Sequence, residues 1–182
     1  MKSLIEMPRV ARRAALGLLL ALCGCHSRPP LAVESHVDIA RFMGEWYVIA
    51  CIPTFIERTA YAPKETYSLD AHGRVHTVLT FHRGSFARPL KRYNPTGFVR
   101  PESGGAVWRM QFVWPIKADY RIVYVDAAYT MTVIGRQKRD YAWIMARTPR
   151  IAEVDYERLR ALLASQGYDV DALRRMPQTE SP

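Results

Sequence analysis

Between residues 43 and 147 the sequence is cut into strand-length pieces by turn signals that return about every ten residues. Segments near 43–53, 63–70, 74–83, 88–100, 106–114, 119–126, 129–136 and 140–147 are separated by Asp70-Ala-His-Gly73, Gly84-Ser85, Pro101-Glu-Ser-Gly-Gly105, Pro115 to Ala118, Ala127-Ala128 and Lys138-Arg139. Short strands at this spacing point to an all-β barrel or sandwich. No internal repeat or low-complexity run interrupts the pattern.

Alternation along these segments separates an inward face from an outward one, because successive strand side chains point to opposite sides. In Val107 to Trp114 the even positions, Trp108, Met110, Phe112 and Trp114, are large and apolar, while the odd ones include Arg109 and Gln111. The even face is the inner one. In Tyr141 to Arg147 the odd positions are long or aromatic, which turns Trp143, Met145 and Arg147 inward. The opposite face, Ala142, Ile144 and Ala146, is apolar too, and a strand apolar on both faces must be covered on both. Ile151 to Gln166 supplies the cover as a helix, with Val154, Leu159, Leu162 and Leu163 at helical spacing and Gly167 as its stop. Tyr168-Asp169-Val170 reads as a short added strand and the tail from Met176 as frayed. Glu65 shares the inward parity of Tyr67 and Leu69, which places a carboxyl at the open mouth or marks a slip of register.

The first 24 residues read as an export leader. Lys2, Arg9, Arg12 and Arg13 precede the apolar run Ala14 to Leu22, whose nine residues fall short of the ~20 that a bilayer span needs. Leu22-Cys23-Gly24-Cys25 resembles the bacterial lipobox, with Cys25 the residue lipidated after cleavage; an ordinary signal peptide with two incidental cysteines is the alternative. His26 stands where the inner-membrane retention signal of enteric bacteria has Asp, which favours the outer membrane, facing the periplasm. The expected organisation is a lipoprotein signal peptide over 1–24, a tether over 25–35 with a stiff Pro29-Pro30 start, and one domain over 36–182. With Cys25 acylated, Cys51 has no partner and no disulfide framework forms. Losing the leader lowers the net charge from +9 to +6; for an exported lipoprotein the available polyanions are phospholipid or lipopolysaccharide head groups, no nucleic-acid partner is expected, and a simply solvated basic surface is the alternative.

Three stretches then carry a family resemblance. Asp38 to Ala50, containing Gly44-Glu45-Trp46-Tyr47, resembles the first conserved region of the lipocalins. Tyr124-Val125-Asp126 with Tyr129 stands where the second lies, stretched by Ala127-Ala128, and Arg139 to Pro149, containing Arg147, resembles the third. The last is similar to the bacterial outer-membrane lipoprotein branch, related to apolipoprotein D and to plant temperature-induced lipocalins. The resemblance implies an eight-stranded antiparallel up-and-down β-barrel with one C-terminal α-helix packed outside. It also implies a structural floor at Gly44, Trp46 and Arg147, in which the guanidinium lies across the indole ring.

The family implies a small hydrophobic or amphipathic ligand, and its bacterial branch a fatty acid or lysophospholipid, with a role in membrane maintenance under stress. A homodimer is an open expectation, since that branch includes dimers. Candidate ligand contacts are Tyr67, Trp108, Met110, Phe112, Trp114, Tyr120, Ile122, Tyr124 and Trp143, with Met145 in the same lining and Tyr141 as a further hydroxyl. Arg100, Lys117 or Arg121 would meet a phosphate or carboxylate.

Two other readings compete. Some lipocalin-like proteins are isomerases with a thiol in the cup, but parity from Trp46 through Val48, Ala50 and Ile52 turns Cys51 outward. No catalytic residue, cofactor or metal site is expected, the five histidines lying in the tether, at turns or on one outward face. A filled barrel acting as a tethered scaffold is the third reading.

Overall fold

The computed structural model describes residues 29–179, so the leader, Cys23 and Cys25 lie outside the described residues. A short helix, α1 (Ile39–Phe42), leads into strands β1 (Gly44–Ile52), β2 (Ala60–Leu69), β3 (Arg74–Arg83), β4 (Leu90–Tyr93), β5 (Thr96–Val99), β6 (Val107–Val113), β7 (Ile116–Val125), β8 (Met131–Gly135) and β9 (Ala142–Ala146). Helix α2 (Glu153–Ser165) and a two-residue strand, β10 (Arg174–Arg175), follow. Each strand pairs antiparallel with its neighbour, and β1 closes the ring by pairing with β9 from Tyr47↔Ala146 to Ile52↔Ala142. β4 and β5 are two halves of one barrel strand, so the ring has eight staves.

That fourth stave breaks at Asn94-Pro95 because proline has no N–H to give the ladder. Below the break β5 pairs with both β3 and β6, while above it β4 pairs with β3 alone. The barrel wall therefore parts between β4 and the last two residues of β6, Phe112 and Val113. The hairpin turn expected over Pro115 to Ala118 is tighter, with Trp114-Pro115 between β6 and β7, so β7 begins at Ile116.

The core has two layers. Inside the ring Phe42, Trp46, Tyr67, Phe81, Trp108 and Ile122 are buried together. Outside, Ala142, Ile144 and Ala50 pack with Tyr156, Leu159 and Leu163 of α2, which covers the second apolar face of β9. Val154, expected on the packed face, is exposed, and Tyr156 takes its place.

The ends of the chain depart from expectation. From Pro29 the stretch read as a tether lies along the outer wall, with Leu31 buried beside α2. Its Glu34 N–H donates to the Ile122 carbonyl at 3.0 Å and its carboxylate accepts from Val125 N–H at 3.1 Å. Tyr168 is not in a strand; its buried hydroxyl is bonded to the N–H (2.7 Å) and carbonyl (3.0 Å) of Arg136. The tail is not frayed at Met176. Arg174 and Arg175 pair with Cys51 and Ala50, Met176 N–H donates to the Ile49 carbonyl (2.9 Å) and Ala62 N–H to the Pro177 carbonyl (2.7 Å). β1 and β2 pair only from Gly44 to Tyr47, and the tail fills the seam where they diverge.

Candidate ligand-binding cup

The closed end is assembled from sequence neighbours. Asp38 caps α1 by accepting from Arg41 N–H, and Gly44, at φ +95°, turns the chain from the helix into β1. Trp46 then points down the axis, fully buried, its indole N–H donating to the Phe42 carbonyl at 2.8 Å. Arg147, just past β9, lays its guanidinium 3.7 Å from the centre of the Trp46 ring. It also donates to the carbonyls of Glu45 (2.7 Å), Met43 (2.8 Å), Arg41 (2.9 Å), Tyr129 (3.1 Å) and Phe42 (3.2 Å). One side chain thus satisfies carbonyls that the end of α1 leaves open. A Cβ on Gly44 would stand 3.2 Å from the Arg147 guanidinium, so the glycine serves both the turn and this approach.

The Phe42 ring lies 5.0 Å from that of Trp46; Phe42, Tyr67 and Trp108 meet with ring centroids 5.5–5.8 Å apart, and Tyr120 stacks on Trp108 at 5.2 Å. Gly97, paired with Met110, lets the wall close in there, since a Cβ on it would stand 3.0 Å from the Met110 sulfur and 3.4 Å from Trp108. This aromatic layer is the bottom of an open cavity of about 520 Å³. Leu79, Met110, Ile116 and Trp143 give the cavity apolar walls, while Phe55 and Phe112 stand at its rim.

Two carboxyls interrupt the apolar lining. Glu65 sits level with Trp46, buried at the inner end, where it accepts from the Tyr67 hydroxyl, itself 2.8 Å from the Tyr120 hydroxyl. Burial pushes the Glu65 carboxyl up to about 7, and it drives the two phenols well above their ordinary range. Glu57, in the loop after β1, accepts from the Trp143 indole N–H (2.8 Å) and the Thr54 hydroxyl (2.8 Å); burial raises it as well. The register at Glu65 holds, and its place is the depth of the cup, not the mouth.

Of the residues expected to touch ligand, the structure brings Met110, Phe112, Tyr120 and Trp143 to the cavity, together with Tyr141. It places Tyr67, Trp108, Ile122 and Met145 in the packed core, outside the lining. Trp114 does not line the cavity either; it is 82% exposed at the β6–β7 tip. Tyr124 faces outward, because the β7–β8 register shifts between Ile122 and Tyr124 and inverts parity beyond it. Its ring meets the Arg158 guanidinium of α2, 5.3 Å from the ring centre.

A second shift, between Val48 and Ala50, turns Cys51 into the inner core, which overturns its outward assignment. Its thiol lies fully buried, 3.5 Å from the Met176 sulfur, and burial with Glu57 nearby pushes its pKa up, so it stays protonated.

The expected anion partners are engaged elsewhere. Arg100 pairs with Glu102, Arg121 with Asp119, and Lys117 covers the Phe98 ring at 3.6 Å. Arg136 lines the cavity instead, its Nε buried without a hydrogen bond and 3.5 Å from the Asp140 carboxylate. Its inward parity with Ile134 is a signal that the sequence carries, whereas Glu57 lies in a loop where parity says nothing. Among the described residues no group of His, Cys, Asp or Glu is placed to hold a metal ion, and His76 bonds Asp70 on the surface.

A closed eight-stave barrel with a Trp–Arg floor and one outer helix is matched by comparison with known families. Residues 37–178 match the lipocalin-like domain. The chain is a lipocalin. It is 29% identical over 168 residues to temperature-induced lipocalin-1 of Arabidopsis thaliana, covering 84% of this chain and 85% of that one. It is 28% identical over 177 residues to the outer membrane lipoprotein Blc of Escherichia coli (strain K12), covering 90% of this chain and 92% of that one. Among solved structures, insecticyanin from the tobacco hornworm Manduca sexta superposes with a TM-score of 0.67 at 13% identity, over 85% of this lipocalin and 87% of that chain, a likeness of fold.

Proposed function

We propose that this lipocalin holds one single-chain amphiphile, a fatty acid or lysophospholipid, as a carrier or store at the outer membrane, and that it performs no catalysis. The observation that carries the reading is the open apolar cavity of about 520 Å³, within the ~300–1,000 Å³ of small-molecule sites. The proposed pose puts the acyl chain against Leu79, Met110 and Trp143, with the anionic head at the rim beside Arg136 and Tyr141. The head does not go deepest, because an anion there would face the Glu65 carboxyl in a poorly solvated recess. Similarity to an outer membrane lipoprotein of nearly the same length supports anchoring through Cys25 and a place in the envelope. Membrane maintenance under stress belongs to the same proposal.

Affinity should rise with acyl chain length, by at most roughly 0.8 kcal/mol per buried methylene, and level off when the cup is full. Ala118 lines the cavity opposite Met110, and Ala118→Trp fills the same space with an apolar group. Titration of fatty acids and lysophospholipids against the parent and this variant tests the reading. Saturable binding lost in Ala118→Trp supports it. No saturable binding by the parent leaves the scaffold reading in its place.

A further inference from the structure

We infer that the open end of the barrel is a docking face for an anionic phospholipid bilayer, so that the cup opens directly onto the membrane holding the chain. Three observations converge on this end.

The first is an apolar rim. Phe55 from the β1–β2 loop is 78% exposed, and Val113, Trp114 and Ile116 at the β6–β7 tip are 67%, 82% and 71% exposed. Large side chains this exposed, gathered at one end of a monomer, mark an interaction surface. Indole rings in particular favour the level of lipid head groups.

The second is charge. Around that rim Arg58, Arg83, Arg88, Lys91, Arg92 and Lys117 are exposed. The acids of the same end include Glu57, which is buried, Asp119, paired with Arg121, and Asp140, 3.5 Å from Arg136. They also include Asp169 and Asp171 in the segment between Tyr168 and Arg174, the latter paired with Arg160. The closed end is mixed by comparison, with Asp38, Asp70, Glu102 and Asp126 at its turns. Apolar side chains inside a cationic belt complement an anionic bilayer, whose negative surface potential attracts basic residues close to it.

The third is where the chain enters. Pro29 and Leu31 are held at the open end, because the Gln137 side chain in the β8–β9 loop donates to the Pro29 carbonyl (3.3 Å) and accepts from Leu31 N–H (3.0 Å). From there the segment runs down the wall to Val37, bonded to Gly104 at the closed end. Four residues from Cys25 to Pro29 reach about 14 Å at most. A nine-residue strand such as β1 spans roughly 30 Å. A lipid on Cys25 would thus hold the mouth, not the floor, against the bilayer. This third observation rests on the proposed anchoring, whereas the rim and its charge do not.

The test uses the chain from His26 onward, which has no acyl group and contains every described element. It is mixed with vesicles of phosphatidylethanolamine and phosphatidylglycerol (7:3), or of phosphatidylcholine alone, some carrying brominated acyl chains. Docking predicts at least tenfold stronger sedimentation with the anionic vesicles at low salt. It also predicts bromine quenching that Trp114→Ser removes, since the difference between parent and variant isolates that indole from lipid entering the cup. Trp114→Ser combined with Arg88→Glu and Lys91→Glu should abolish sedimentation while leaving lysophospholipid binding from solution unchanged. Equal sedimentation with both vesicles, sedimentation without Trp114 quenching, or a rim buried in a homodimer with no vesicle affinity would each overturn the proposal. Failure of lysophospholipid binding with vesicle docking intact would count against the carrier reading alone.

Discussion

Glu65 is the residue whose environment most departs from its chemistry, a carboxyl beside two phenols at the bottom of a greasy cup. Its ordinary value of 4.5 is raised to about 7 by burial, so the folded state keeps a proton that the unfolded chain gives up. The stability tied to that proton is fully present below about pH 4.5 and is lost as pH rises through about 7. The loss is on the order of 3 kcal/mol, from roughly 1.4 kcal/mol per pKa unit. Glu65→Gln should flatten this stretch of the stability curve in denaturant melts at pH 4.5 to 8; an unchanged slope would assign it to another group.

The floor offers a second test at this scale. Trp46→Ala should cost about 3–5 kcal/mol as a large-to-small core change. Arg147→Ala removes a ring contact together with the donors to five carbonyls, so the two losses should couple in a double-mutant cycle. Additive losses would show that Arg147 acts on the carbonyls alone.

Among the elements, those fixed by period and turn chemistry were legible from sequence. The long pieces of β1, β3 and β6, the outer helix and the Trp46–Arg147 contact follow from alternation and the family motifs. Less legible was everything that depends on one inserted residue. The shifts at Val48/Ala50 and Ile122/Tyr124 exchange inside for outside, which moved Cys51 in and Tyr124 out. No local propensity announces such a bulge, since its stability comes from partners on other strands. Depth within the barrel was equally hidden, because parity gives Trp108 and Met110 the same face while only packing makes one the floor and the other the wall.

The tail is the clearest case, a polar segment ordered by backbone groups that β1 and β2 leave unpaired where they diverge. A chain ending at Arg175 should therefore uncover Cys51, whose thiol Met176 covers. Alkylation followed by mass spectrometry should label Cys51 at least tenfold faster in that truncation than in the parent. Equal rates would mean the tail does not seal the seam.

For the whole molecule, asymmetry between the two ends is the organising fact. One end is closed by α1, Trp46 and Arg147, and the other carries the cavity, the exposed rim and the exposed basic side chains around it. Outer helix and inner floor make a rigid wall around a space the sequence does not fill, which is the condition for holding a guest. The most direct test is native mass spectrometry of the mature protein released gently from membranes of cells expressing the full chain, beside Ala118→Trp. The account predicts a stoichiometric adduct of single-chain lipid mass on the parent and none on the variant. A parent that is empty, or an adduct equally present on both, would contradict it.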